Sequence, residues 1–449
     1  MGLRRSWWAW ALWGWWAFTG LAQDASHLVA MRETVAAGDL YRVSCRVRLE
    51  GTLRLPAEKE GTAPTILPFQ GNSQIDYVER ILEVTAQGEV RRTLRVYEQM
   101  TFQRRLGQQE QKSDLRPAAR RMVIVRHNQL EVPFSPDGPL LWSEIDRVRT
   151  DVFPPALTGL LPSMPVKVGE KWQARREAMV ELTDLEKITQ GHLVCCLERL
   201  IDQDGNRLAQ VSLQGTVVGI SEDGASRHHL QGFYYFDLDG KLLTYISLEG
   251  KQALLDSEEK VVSEVKGQFV MTRQRLRNHD LLSDQAIRGL TLVPNEENTR
   301  LLFDEPELGL RFIYPRRWTV RRADARQVVL DEPNGGSILL TLDSPGHAWT
   351  AAQYQNHVEQ WLAKEKATVH RRGVIRGIAQ ASGRLEHFQY EVSLRGERLI
   401  LDYYAYQHPH GSVTLAARIP TTVAKLSEDV ALIAQSLRRS RGAAHPPEP

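Results

Sequence analysis

Cysteine is nearly missing from this chain. Three residues in 449, Cys45, Cys195 and Cys196, are too few for a disulfide framework, and the odd count leaves at least one thiol unpaired. Cys195 and Cys196 are adjacent in a strand-like run, where successive side chains point to opposite faces, so at most one shares a face with Cys45. Buried, reduced thiols are expected ahead of a Cys45 bridge, and no metal site is expected. A charge excess is missing too. Lysine and arginine total 57 against 55 acidic residues, and two of the arginines, Arg4 and Arg5, belong to the extreme N-terminus. A nucleic-acid partner would call for a basic stripe. The arginine-rich stretch 104–126 also carries Glu110 and Asp114 and reads as a solvated loop. No segment after the first 22 residues approaches the ~20 apolar residues that span a bilayer. Signature motifs are absent as well: G-x-S-x-G, H-E-x-x-H, the phosphate loop and G-x-G-x-x-G do not occur. No catalytic residues and no cofactor are therefore assigned.

What is present begins with an address. Arg4 and Arg5 precede an apolar core at 7–18, and Gly20-Leu21-Ala22 ends it with small residues. That is the pattern of a secretory signal over 1–22, predicting an exported bacterial protein, periplasmic or extracellular. Six of the eleven tryptophans sit in that core and say nothing about the mature fold. Membrane contact is expected only through this segment, if it stays uncleaved.

Strand signals dominate 24–288. Tyr41, Val43, Cys45, Val47 and Leu49 alternate with polar residues, the period of a half-buried strand. Similar runs recur at 75–84, 93–97, 122–125, 208–218, 232–236, 242–248 and 265–271. Asp204-Gly205, Asp223-Gly224 and Asp239-Gly240 supply hairpin turns. A calcium role for Asp202/Asp204 or Asp237/Asp239 lacks the further oxygen ligands it requires. Leu141, Glu144, Ile145 and Val148 have helical spacing and lead to Phe153-Pro154-Pro155, predicting a short helix that caps an open sheet. A polar linker follows at 289–301. The second domain, 302–438, reads as strands with two amphipathic helices, one carrying Tyr354, Val358, Trp361 and Leu362 and one closing at 426–437. The expected architecture is thus a curved antiparallel sheet with a capping helix, then an α+β domain whose antiparallel sheet is covered by two helices on one side. The tail, 439–449, is expected to be disordered.

The run from Gly309 to Trp318, the Tyr354 helix and the hairpin at 399–419 with its final helix resemble the PsbP-like and DcrB-like fold family. That resemblance implies a docking or accessory module without a shared catalytic set. Leu160-Leu161-Pro162 followed by 166–172 is similar to exported bacterial proteins of unknown function. A curved sheet under a capping helix is similar in architecture to the LolA-type half-barrel of lipoprotein carriers.

Candidate side chains are few. His228-His229 diverge on a strand, His408-Pro409-His410 fits a hairpin loop, and Ser344-Pro345-Gly346-His347 fits a turn. Phe233 and Tyr235, with Tyr403, Tyr404 and Tyr406, are the expected ligand or partner surface, because exposed aromatic patches mark interfaces. The expectation is a non-enzymatic exported protein with a binding or accessory role in the envelope, its partner a protein or an apolar ligand. The alternatives are an unrecognised hydrolase using the histidine loops and a structural envelope component.

Overall fold

A computed structural model describes residues 27–55, 65–127, 130–203, 205–343, 349–380 and 383–440. The export signal, the turn at 344–347, Asp204 and most of the tail lie outside the described residues.

The alternating N-terminal region folds as β1 (Leu40–Leu55), β2 (Thr65–Val84), β3 (Val90–Leu106), β4 (Gln109–Asp114), β5 (Arg121–His127), β6 (Leu130–Phe134), β7 (Leu140–Leu141), β8 (Lys171–Gln173), β9 (Lys187–Gln203), β10 (Asn206–Ser221), β11 (Gly224–Asp237), β12 (Leu242–Leu255) and β13 (Val261–Leu276). All but β7 form one 12-stranded antiparallel sheet in the order β6-β5-β3-β2-β1-β13-β12-β11-β10-β9-β8, with β4 beside β3. The first and last long strands meet at its centre, Cys45 opposite Met271 and Ile75. Two meanders fan outward from that pair. Period-two alternation puts Tyr41, Val43 and Cys45 on the inner face and Arg42 and Arg46 on the outer one.

The inner face is covered by α1 (Trp142–Arg149), a 3-10 turn at Pro154–Leu160, and α2 (Arg176–Thr183). Ile145, Val148, Leu157 and Leu160 join the buried cluster that Tyr234, Phe236 and Met271 supply from the strands. Glu144 accepts the Leu141 N–H and a two-pronged bond from Arg116, which fixes the start of α1. The capping helix expected from Leu141–Val148 is therefore present. α2, which carried no clear signal in the sequence, completes the cap.

The Asp239-Gly240 pair does form a hairpin turn between β11 and β12. The positive φ falls on Lys241, and Asp237 accepts the N–H groups of Asp239 and Gly240 while Asp239 pairs with Arg207. Those carboxylates are committed to the hairpin.

Helix α3 (Asp284–Ile287) and an Asn295-centred turn lead into β14 (Leu301–Glu305), β15 (Leu310–Tyr314), β16 (Thr319–Ala323), β17 (Gln327–Asp331) and β18 (Ser337–Asp343). Next come α4 (Ala351–Lys364), β19 (Thr368–Arg372), β20 (Arg376–Ile378), β21 (Arg384–Leu394), β22 (Glu397–Gln407), β23 (Ser412–Pro420), α5 (Leu426–Ser436) and β24 (Arg438–Arg439). An 8-stranded antiparallel sheet runs β16-β17-β18-β23-β22-β21-β19, with β20 beside β21. A small sheet, β24-β15-β14-β7, stitches the second unit to the first through the parallel β7–β14 pair.

Two expectations are corrected here. The helices cover opposite faces of the second sheet: α4 packs on Phe388, Leu401 and Tyr403, whereas α5 belongs to the cluster holding Tyr404, Tyr406 and Leu415. The chain at 438–440 is not a loose tail, because Arg438 and Arg439 pair with Arg311 and Leu310, and the Ser440 N–H donates to the Gly309 carbonyl.

Candidate functional site

Tyr403, Tyr404 and Tyr406 are buried, so they are core and present no partner surface. The reason is the placement of α4 and α5, which leaves β22 without a solvent face. Phe233 and Tyr235 remain half-exposed on the outer face of the large sheet. With Tyr245 they form a triangle of rings, centroids 5.5 to 5.8 Å apart.

The inner face divides into a filled end and an open one. Beneath the cap it is packed solid. Beyond the C-terminal end of α2 a cavity of about 260 Å³ remains, bounded by Val47, Leu230, Leu248, Val265 and Phe269 from the sheet and Leu182 from the cap. Gly267 and Gly250 are cross-strand partners on its floor. A Cβ there would lie 2.8 Å from a methyl of Leu49 or of Leu230, so the two leucines lie flat only because the glycines are bare.

A charged cluster borders that cavity and holds the cap to the sheet. Arg95 of β3 donates to Glu79 at 3.0 Å and to Asp151, just after α1, at 2.9 Å, with all three side chains buried. Arg126 of β5 donates to Glu181 of α2 at 2.6 Å and lies 3.5 Å from Glu131. Glu181 also accepts the Phe153 N–H at 2.5 Å, and both guanidinium groups lean on the Phe153 ring. Four carboxylates thus face two guanidinium groups in a nearly dry space. Burial pushes Glu131 up to about 7, reinforced by Glu181. Burial likewise raises Asp151 to about 7 against the pull of Arg95, with Glu131, Glu79 and Glu181 adding to it. The Cys45 thiol, beside Asp151, is held well above its usual range by burial.

This cluster sets a pH dependence. Glu131 and Asp151 ionise in the unfolded chain near their ordinary values of about 4, so their stabilising effect is complete below that pH and is lost as pH rises through about 7. His228, pushed down to about 4 by burial, opposes them, because the unfolded chain takes its proton first as pH falls below about 6.5. The two acids outweigh one histidine, and the protein is expected to be about 2 kcal/mol more stable at about pH 5.5 than at about pH 8. Denaturant unfolding at both pH values measures this, and E131Q is expected to flatten the difference. Equal or greater stability at the higher pH defeats the assignment.

The remaining candidates separate. His228 faces inward and meets Ser226, while His229 is exposed and meets Thr216. His408 and His410 have ring centroids 5.1 Å apart beside Tyr406. Among the described residues no group of three or more His, Cys, Asp or Glu is placed to hold a metal ion. All three cysteines are free thiols; Cys45 and Cys195 are buried. Sequence reasoning missed the Arg95 cluster and a second pair, His387 with the buried Asp402, in contact at 2.5 Å with the imidazole stacked on Tyr404. Arginine at an inward strand position was the available signal for the first. The second had none, since the pair joins neighbouring strands.

No protein-family model matches the chain, and no curated protein matches it. Among solved structures it is similar to the Ran-binding protein Mog1p of Saccharomyces cerevisiae, at 9% identity over 31% of this chain and 95% of that one, with a TM-score of 0.25. It is similar to cyanobacterial PsbP from Synechocystis sp. PCC 6803, at 10% identity over 31% of this chain and 92% of that one, with a TM-score of 0.25. It is also similar to lipovitellin, at 9% identity over 64% of this chain but only 29% of that one, with a TM-score of 0.32. Likeness at these scores carries no weight for function.

Proposed function

We propose that this is an exported, non-enzymatic binding protein whose large sheet holds a small apolar ligand on its inner face, with the α+β unit as an accessory docking module. The observation that carries the reading is the cavity between sheet and cap, where Val47, Leu248, Val265 and Phe269 face open space. Its volume of about 260 Å³ lies just under the ~300–1,000 Å³ of pockets for drug-sized ligands. A single short acyl chain suits that space; a two-chain lipid does not. Thr150 and Asp184 are exposed at the rim, where a polar head would meet solvent.

Displacement of a bound fluorescent apolar dye by decan-1-ol, whose neutral head avoids the acidic rim, tests this. Saturable one-to-one displacement is expected, and V265W, which fills the cavity, should weaken it about tenfold, equivalent to ~1.4 kcal/mol. No displacement, or undiminished binding by V265W with an unchanged fold, would overturn the reading. Sequencing the N-terminus of the mature protein from culture fractions tests the export step, with cleavage after Ala22 expected.

A further inference from the structure

The outer face of the large sheet, on the far side from the cap, carries a concavity. A trough of about 540 Å³ crosses β2, β1, β13, β12 and β11 there. Its floor includes the same Gly250 and Gly267 that underlie the inner cavity, so at this strip the sheet is thin, with Leu49 and Leu230 lying over the glycines on the inner side. Along one transverse row the side chains stand in register: Asn72, Arg48, Gln268, Glu249 and Gln231. Two residues farther along β11 on the same face, the polar row gives way to Phe233, then Tyr235, with Tyr245 beside them.

We propose that this trough, with the aromatic triangle beyond it on the same face, forms a second binding site, for a neutral oligosaccharide. The strands here are interior to the sheet, so their backbone groups are already paired and offer no edge to an added peptide strand. Recognition must come from side chains. Glu50 and Glu249 lie in the trough among Arg48, Lys251 and Lys266, and Lys251 is already paired with Glu264 at 2.6 Å, so neither a polyanion nor a polycation finds one sign of charge. The amides of Gln70, Asn72, Gln231 and Gln268 each present a donor and an acceptor, which is what sugar hydroxyls require. A pyranose ring also has an apolar C–H face, and Phe233, Tyr235 and Tyr245 provide half-exposed rings to lie against it. An ordinary solvated strand face would explain the polar residues. It explains neither the concavity nor the three aromatic rings clustered just beyond it on the same face.

This site is independent of the apolar-ligand reading, and the experiment separates them. Purified full-length protein is applied to an array of neutral and acidic glycans, and the best neutral binder is titrated by calorimetry. Binding to at least one neutral oligosaccharide is expected, and N72A/Q231A should weaken it about tenfold or more while thermal unfolding and decan-1-ol binding stay unchanged. F233A/Y245A should weaken it similarly; the doubly polar variant keeps the test valid if that aromatic variant fails to fold. An array without a neutral hit, binding that survives N72A/Q231A, or binding only to acidic glycans that salt abolishes would each overturn the proposal.

Discussion

R95M is expected to destabilise the protein by about 3–5 kcal/mol, because it leaves two buried carboxyl groups without their shared partner. Arg95 is 1% exposed, and its partners Glu79 and Asp151 are buried with it. The methionine matches the arginine stem in packing but supplies no guanidinium. Glu79 and Asp151 then face each other, Glu131 and Glu181 across a dry gap, and the end of α1 loses its tie to β3. For a unit of this size the thermal midpoint should fall by about 10 °C. The triple variant R95M/E79Q/D151N removes the unpartnered carboxyl groups together and should regain most of the loss, since replacing a whole buried ion system is often close to neutral. Thermal and urea unfolding of the two variants decide it. If R95M alone lies within about 1 kcal/mol of the parent, the cluster is not the cap's anchor.

W318A is expected to cost about 3–5 kcal/mol in the α+β unit. Trp318 is 1% exposed and is the bulkiest fully buried side chain among the described residues. Its ring fills the space that Gly336 leaves open; a Cβ at Gly336 would lie 2.9 Å from the ring edge and equally close to a methyl of Leu426. Its Nε1–H donates to Asp429 of α5 at 2.9 Å, and Arg317 pairs with the same carboxylate at 2.7 Å. Truncation therefore opens a cavity under α5 and removes one of the two groups that hold Asp429. W318F keeps most of the ring and should lose only about 1–2 kcal/mol for the missing hydrogen bond. Urea unfolding followed by far-UV circular dichroism reads both. Equal losses for the two variants would mean that the hydrogen bond, not the ring, secures the helix.

Legibility in the sequence follows the range of each interaction. Tyr41, Val43 and Cys45 announce β1 because a strand writes its two faces into every second residue. Leu141, Glu144, Ile145 and Val148 announce α1, and Tyr354, Val358 and Leu362 announce α4, for the same local reason at a different period. Nothing local says which face of a sheet a helix will cover. Tyr403, Tyr404 and Tyr406 read as an exposed ring cluster until α4 and α5 are found on opposite faces. β24 was likewise invisible, since two arginines become a strand only when Leu310 and Arg311 supply the partner ladder.

The sequence by itself determined the fold class, the position of most of the long strands and of α1, α4 and α5, and which residues of each strand point together, because backbone geometry converts residue spacing directly into faces. Only the tertiary structure decided where the chemistry lies. Arg95 meets Asp151 across 56 residues, Arg126 meets Glu181 across 55, and Gly250 meets Gly267 through cross-strand pairing. Those meetings depend on strand order and cap docking, and they create the buried charge, the inner cavity and the outer trough. None of them has a period that a linear reading can detect.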